Sequence, residues 1–498
     1  MRTQERIGDV VVLEPAVQAQ LERNHTMWND DLRPCTLEEH TWPGSKFAAL
    51  WIGMCLCLPT YSLASGMISL GMNWWESVLT VLTGSCAVMI AILLVSHAGT
   101  RYGIPYPVFA RLWFGTRGAH LPALARAVIG AGWFGINSWF GGQALDAIAG
   151  RVLPAWDGIG VHLALAFAVF WALNVVIAMR GPQAIGRLAQ ISAPALGIGA
   201  IALLAWALHS EGGFGPSLAA PATIHGNAFW AALFPSVVGV IAFWATLALN
   251  IPDYTRYART QRGQMLGQIV SMPLTMALFS FVGIAVTSTT VILFGKALWN
   301  PVDLIVKFPT PVVVIAGLLV VLSSVTINVG ANVMAPARAF QNLWPSRIGF
   351  ALGALLTGIL SLAMQPWYVL SSFAAYIFTW LGTYGAMLGS FDGIAIADYW
   401  IVRKGRLDLA QLYEPRGRYA YAGGINLRAV AAVVAGWVLA SIGLVVPQLH
   451  FLWSGGWIFS LLGGMAAYWM LMRNDRSVLT AQGYESITDE PETLARGA

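Results

Sequence analysis

Trp51-Ile-Gly53-Met-Cys-Leu56-Cys-Leu-Pro59-Thr60-Tyr61-Ser62 is an apolar run with a proline inside it. It belongs to a stretch, 47–67, long enough for a helix to cross a hydrocarbon core, which takes roughly 20 residues. Pro59 has no N–H and its ring clashes with the carbonyl four residues back, so the helix is expected to break near 55–59. Carbonyls freed at bilayer depth are tolerated only where protein or a cavity meets them. Outward from this stretch, further apolar runs lie at about 75–96, 122–149, 159–179, 188–208, 228–250, 266–294, 309–334, 347–364, 367–401, 426–447 and 451–472. The expected fold class is an all-α polytopic membrane protein with twelve transmembrane helices.

Charge sets the orientation. Of the 28 Lys and Arg, all but Arg151, Lys296 and Lys307 fall in the two tails and in every second loop or its span edges. Basic residues are retained on the cytoplasmic side. The expectation is a multi-pass protein of the cell membrane (plasma or inner) with both termini cytoplasmic. A hydrophobic fraction of 57% against 10% charged leaves no room for a separate soluble catalytic domain. The net charge of +5 follows from this topology and is no sign of nucleic acid. The first 45 or so residues are polar and mixed in charge, unlike a cleavable signal peptide. Cys35, Cys55, Cys57 and Cys86 show no metal spacing.

The apolar interior holds almost no charge and no histidine cluster, since His25, His40, His97, His120, His162, His209, His225 and His450 fall in tails, loops or span ends. Neutral polar groups stand there instead, and buried polar groups in membranes are functional candidates. Trp133 and Asn137 are four apart, on one helix face. An indole face beside a primary amide suits a flat, hydrogen-bonding ring. Asn328 and Asn332 share a face of the eighth run, and Ser323, Thr326 and Ile327 form a second stripe. The sixth run, through Gly239-Val-Ile-Ala-Phe-Trp244-Ala-Thr246 and before Asn250-Ile-Pro252, offers a partner break. Broken helices at matching places in two halves point to a secondary transporter.

Further segments carry a resemblance: Asn29-Asp-Asp-Leu-Arg33-Pro34, Pro59 to Gly66 with Asn73-Trp-Trp75, Tyr102-Gly-Ile-Pro105 with Phe109-Ala-Arg111, and Gly132-Trp-Phe-Gly135 through Gly142. They continue with Leu249-Asn-Ile-Pro-Asp-Tyr-Thr-Arg256-Tyr, Asn328-Val-Gly-Ala-Asn332 with Pro336-Ala337, and Gly393-Ile-Ala-Ile-Ala-Asp398-Tyr with Val402-Arg-Lys404. Together and in this order they are similar to the nucleobase:cation symporter-1 family of hydantoin, allantoin, uracil, cytosine and purine permeases. The resemblance implies a leucine-transporter-like fold of two inverted five-helix repeats plus two trailing helices. On this chain that places a tail at 1–45, repeats at 46–208 and 226–402, a loop at 403–425, trailing helices at 426–472 and a tail at 473–498.

The resemblance also implies a substrate sandwiched between Trp133 and Trp244, its ring amides held by Asn137 and Asn332. Better-known members often carry Gln where this chain has Asn137. A sodium site is implied at Gly53, Leu56, Ser323, Thr326 and Ile327, and here the chain departs, because Ile327 replaces a hydroxyl and cannot ligate a hard cation. The coupling cation is therefore H+ or Na+, with the proton at least an equal choice, and no cofactor is implied. Glu76, Asp253 and Asp392 are the nearest acidic candidates. Asp253, which precedes Arg256 and Arg259, reads as a cytoplasmic gate ion pair. The expected function is secondary active import of a nucleobase-like small molecule from across the lipid bilayer, with no nucleic-acid partner and no enzymatic activity. The oligomeric state is not legible. A leucine-transporter-fold permease for amino acids or another small solute is the alternative, and the absent His/Asp/Glu cluster and charge ring disfavour an intramembrane enzyme or a channel.

Overall fold

The computed structural model describes residues 2–23, 27–181, 183–213, 215–344 and 347–489. His25 and the end of the C-terminal tail, 490–498, lie outside the described residues. The first apolar stretch forms two helices, α1 (Gly44–Cys55) and α2 (Leu58–Ser69), bent by 58° at their junction. Pro59 stands in the first turn of α2, where a missing N–H costs nothing, and Cys57 N turns back onto Cys55 O (2.9 Å), so the helical ladder does not cross the break.

The chain continues as α3 (Trp74–Tyr102), α4 (Tyr106–Phe114), α5 (His120–Val152), α6 (His162–Met179), α7 (Gln183–Glu211) and α8 (Gly226–Asn250). Glu76 belongs to a capping box: its N–H donates to Asn73 Oδ1 (3.0 Å) and its carboxylate accepts from Asn73 N (2.9 Å), which starts α3. Its role is local.

Next come α9 (Gln261–Phe294) and α10 (Thr310–Ile327), a π-helical turn at Asn328–Asn332, α11 (Met334–Leu343) and α12 (Phe350–Ala363). Then α13 (Gly382–Ile396) is flanked by π-helical segments Ala375–Leu381 and Ala397–Val402, and α14 (Leu427–Val445) and α15 (Gly456–Met472) follow. Among the described residues, 7 helices are each long and apolar enough to cross a membrane, or 9 if each of two bent pairs counts as one span. Ile90, Val169, Ile198, Ile315, Val438 and Met470 turn outward from these helices and are exposed. In an aqueous protein such a band would be a liability; against lipid it is the solvated face.

The expected break in the sixth run is absent from Gly239–Thr246: α8 runs unbroken to Asn250 and ends where Pro252 follows. A lone glycine keeps its N–H and carbonyl, so it permits a break without forcing one, whereas proline removes a donor. α5 packs against α6, α10, α11 and α12, and α8 packs against α3 and α13. Close approach needs small residues: a Cβ on Gly142 of α5 would stand 2.7 Å from the Phe167 Cα of α6.

The tails are more structured than a polar leader suggests. Strand β1 (Gln4–Ile7) pairs antiparallel with β2 (Val10–Leu13) and parallel with β3 (Thr488–Asp489). N- and C-terminal segments therefore meet on one side of the helix bundle. A buried ion pair anchors the C-terminal segment there: Arg403 Nε donates to both Asp398 oxygens (3.0 and 2.8 Å), and its Nη1 donates to Ser477 O (2.8 Å).

Candidate functional site

The break between α1 and α2, the middle of α5, the second half of α8 and the π-helical turn after α10 converge on one small buried cavity. Its walls include Trp133 and Asn137 from α5, Phe243 and Trp244 from α8, and Asn332 from the π turn. Met54, Cys57 and Pro59 close it at the α1/α2 break. The volume, about 30 Å³, is roughly the share of one water molecule. A ring compound can enter only if these elements separate.

The four residues expected to hold a ring are thus brought together. Trp133 is braced edge-on by Phe243 (centroids 4.9 Å), and Phe243 meets Trp244 likewise (5.0 Å). Trp51 supports Trp244 from α1 (5.2 Å). Edge-to-face contacts of this kind fix ring planes. Phe243 and Trp51 were not singled out by the sequence, where they read as two more aromatics in a chain rich in them.

The polar groups are arranged by what they already bond. Asn137 Nδ2 donates to Trp133 O one turn back (3.0 Å), which leaves Asn137 Oδ1 buried and without a partner. Trp244 Nε1 is also buried without an acceptor. Asn332 Nδ2 donates to Asn328 Oδ1 (3.0 Å), and Asn332 lines the cavity. Asn328 in turn donates to Phe134 O (3.1 Å) and Ser138 Oγ (3.2 Å), so this residue glues the π turn to α5. Buried polar atoms without partners are rare. Here an acceptor and a donor edge one aromatic-walled space, which is what a ring carrying N–H and C=O groups requires. π-helical turns frequently mark such positions, because the extra residue redirects side chains.

A second cavity, about 160 Å³, adjoins the first and is lined by all five positions expected for a cation: Gly53, Leu56, Ser323, Thr326 and Ile327. Ser192 of α7 joins them, with Thr326 Oγ1 3.0 Å from its Oγ and 2.8 Å from Leu322 O. Sequence spacing could not reveal Ser192, which belongs to a helix distant in the chain. Met54, Ile327 and Ala331 line both cavities and form the wall between them.

Beside this small cavity lies a cation near the edge of a span. Arg126 of α5 is only 2% exposed. Its Nε donates to Asn250 Oδ1 (2.8 Å) and Thr246 O (3.0 Å) of α8, and its Nη2 reaches Ala331 O of the π turn (3.4 Å). In the sequence its signal is a basic residue inside the run 122–149, indistinguishable there from the topological charges.

The gate pair is corrected. Asp253 and Arg256 do not bond each other. Asp253 Oδ1 accepts from Tyr106 N (3.0 Å) and lies 3.7 Å from Arg338 of α11. Arg256 instead donates to Asp31 O (2.9 Å) and Arg33 O (2.6 Å) of the N-terminal segment. Three residues apart within one short turn, the two side chains leave in different directions. Asp392, the third acidic candidate, is fully buried on α13 and accepts from Trp457 Nε1 (2.9 Å), away from either cavity.

Residues 34–471 match the family model described as a permease for cytosine/purines, uracil, thiamine and allantoin. The chain belongs to this family of permeases. The permease is 38% identical over 470 residues to a purine-uracil permease of Arabidopsis thaliana, covering 90% of this chain and 78% of that one. It is 36% identical over 464 residues to an allantoin permease of Bacillus subtilis (91% and 94% covered). Among solved structures it resembles Mhp1, a nucleobase-cation-symport-1 family transporter, in a closed conformation with bromovinylhydantoin bound. That likeness has a TM-score of 0.76 at 23% identity, with 92% of this chain and 98% of that chain covered, and it establishes the fold. The permease is an all-α, multi-pass membrane transporter and not an enzyme.

Proposed function

We propose that this permease imports a nucleobase or related cyclic amide (uracil, cytosine, a purine, allantoin or hydantoin) by cation symport with alternating access. The observation that carries this reading is the convergence of Trp133, Trp244, Asn137 and Asn332 on one buried cavity, with Asn137 Oδ1 and Trp244 Nε1 unpaired. Ring faces stack on indole, and ring N–H and C=O groups pair with the amides and the indole N–H. The names of the relatives favour the same substrate class. An amino acid would need partners for a carboxylate and an ammonium group, and no charged side chain lines the cavity. Radiolabelled uptake into cells lacking their own permeases tests this. Competition by unlabelled uracil, cytosine, adenine, allantoin or hydantoin, and none by leucine, is the expected result; leucine uptake without ring uptake would reverse the assignment.

The proposal extends to the frame: twelve membrane crossings, two inverted five-helix repeats at 46–208 and 226–402, two trailing helices, and both termini in the cytoplasm of a cell-membrane protein. The alternation of basic residues supports this orientation, and the sheet joining the tails supports an even number of crossings. Asp253 with Arg338, rather than with Arg256, is the candidate latch on that side.

Coupling follows from the shared wall of Met54, Ile327 and Ala331: a cation held on one side biases the position of groups that line the other. The Ile327 side chain contributes no oxygen there, and the Thr326 hydroxyl is already engaged with Leu322 O and Ser192 Oγ. The proton is therefore the proposed coupling ion. Uptake should persist in sodium-free buffer, rise as external pH falls and collapse with a protonophore. Ile327→Thr should gain sodium stimulation. Strict sodium dependence of the wild type, with no response to the proton gradient, would overturn this.

Asn137→Gln tests the amide edge. One added methylene advances the same donor and acceptor into the cavity, so the order of preference among ring sizes should shift while uptake survives. An unchanged order would mean that the side chain serves only its bond to Trp133 O.

A further inference from the structure

A larger cavity, about 720 Å³, opens on the side of the bundle where the two termini meet. Arg111 of α4, Arg117, His120 at the start of α5, Asn342 at the end of α11 and Arg416 of the long loop line it. None of the described residues lining it is acidic. Arg117 and Arg416 are exposed and enter no ion pair among the described residues, whereas Arg111 is only 2% exposed. Arg111 donates to Met27 O and Leu412 O (both 3.2 Å) and to Asn342 Oδ1 (3.2 Å), all neutral acceptors, and its Nε is buried without a partner. Burial pushes the Arg111 guanidinium down to about 10, as befits a buried cation without a counter-ion. A buried charge left uncompensated is costly.

We propose that this cavity is a binding site for a phosphate-bearing anion, held by the Arg117 and Arg416 guanidinium groups with Arg111 and His120 at its base. Guanidinium forks match the planar spacing of phosphate oxygens, and several around one hollow select charge and geometry together. The anion would come from a soluble phosphate or from the headgroup of an anionic lipid. Because the site is bounded by the beginning of α5 and the end of α11, occupancy stabilises the arrangement in which those two ends lie together. These are the helices adjoining the small aromatic-walled cavity, through Trp133 and Asn137 on one and Asn332 just before the other.

The test uses the purified full-length protein in detergent. Thermal unfolding is followed against sodium phosphate, with sodium chloride at matched ionic strength as control, and separately against phosphatidylglycerol, with phosphatidylcholine as control. A saturable rise in Tm is expected in at least one arm, and the arm that responds identifies the source. In Arg117→Gln/Arg416→Gln the half-saturating concentration should rise at least tenfold while the protein stays monodisperse on gel filtration. If the double variant does not fold, the single Arg416→Gln, at an exposed loop position, carries the same comparison with a smaller shift. No response in either arm, or the same half-saturation in wild type and variants, would overturn the proposal.

Discussion

Asn332→Ala is expected to abolish measurable uptake at wild-type surface expression. The residue stands on the π-helical turn and lines the cavity, and its Nδ2 holds Asn328 Oδ1 (3.0 Å). Truncation removes a partner from the substrate and strands a buried acceptor on Asn328. Each buried group left unpaired costs about 1–3 kcal/mol, so the two losses together take uptake down by roughly thirtyfold at the least. Asn332→Asp, similar in shape but unable to donate when ionised, should be nearly as defective. Wild-type uptake by Asn332→Ala at equal surface expression would place the residue outside the binding edge.

Arg126→Leu should lower uptake to about 1% of wild type, because hydrogen bonds to a charged donor contribute about 1.5–3 kcal/mol each and at least two are lost. The guanidinium ties α5 to α8 through Thr246 O and Asn250 Oδ1, and approaches the π turn through Ala331 O, just below the cavity. Leucine fills similar space and leaves those acceptors dry. Arg126→Lys keeps the charge but not the fork, and an intermediate uptake is expected from it. If Arg126→Leu transports like wild type, the network is packing alone and plays no part in assembling the site.

These two residues also mark where a sequence can and cannot be read. Asn332 was legible because an amide deep in an apolar run is conspicuous, and so was the break at Pro59, because proline alone removes a backbone donor. The π turn that aims Asn332 was not, since it depends on how Asn328 bonds Phe134 and Ser138 on another helix. Arg126 was hidden by its place near a span edge, where arginine is ordinary and only its three-dimensional partners show it to be interior. The break assigned to Gly239–Thr246 failed because glycine lowers the cost of a break without supplying a reason for one. The pairing of Asp253 with Arg256 failed because nearness in sequence outweighed what folding brings close, Arg338 for one and the N-terminal carbonyls for the other. Ser192, Phe243 and Trp51 were invisible for the same reason: their roles come from packing between helices remote in the chain.

The proposed function places a ring against the indole face of Trp133. Its most direct test is the apparent affinity of the transported ring compound in wild type, Trp133→Phe and Trp133→Ala at equal surface expression. Stacking contributes about 1–3 kcal/mol per base, so Trp133→Ala should bind at least about fivefold more weakly, with Trp133→Phe in between. Equal affinity in Trp133→Ala and wild type would contradict the claim and remove Trp133 from the site.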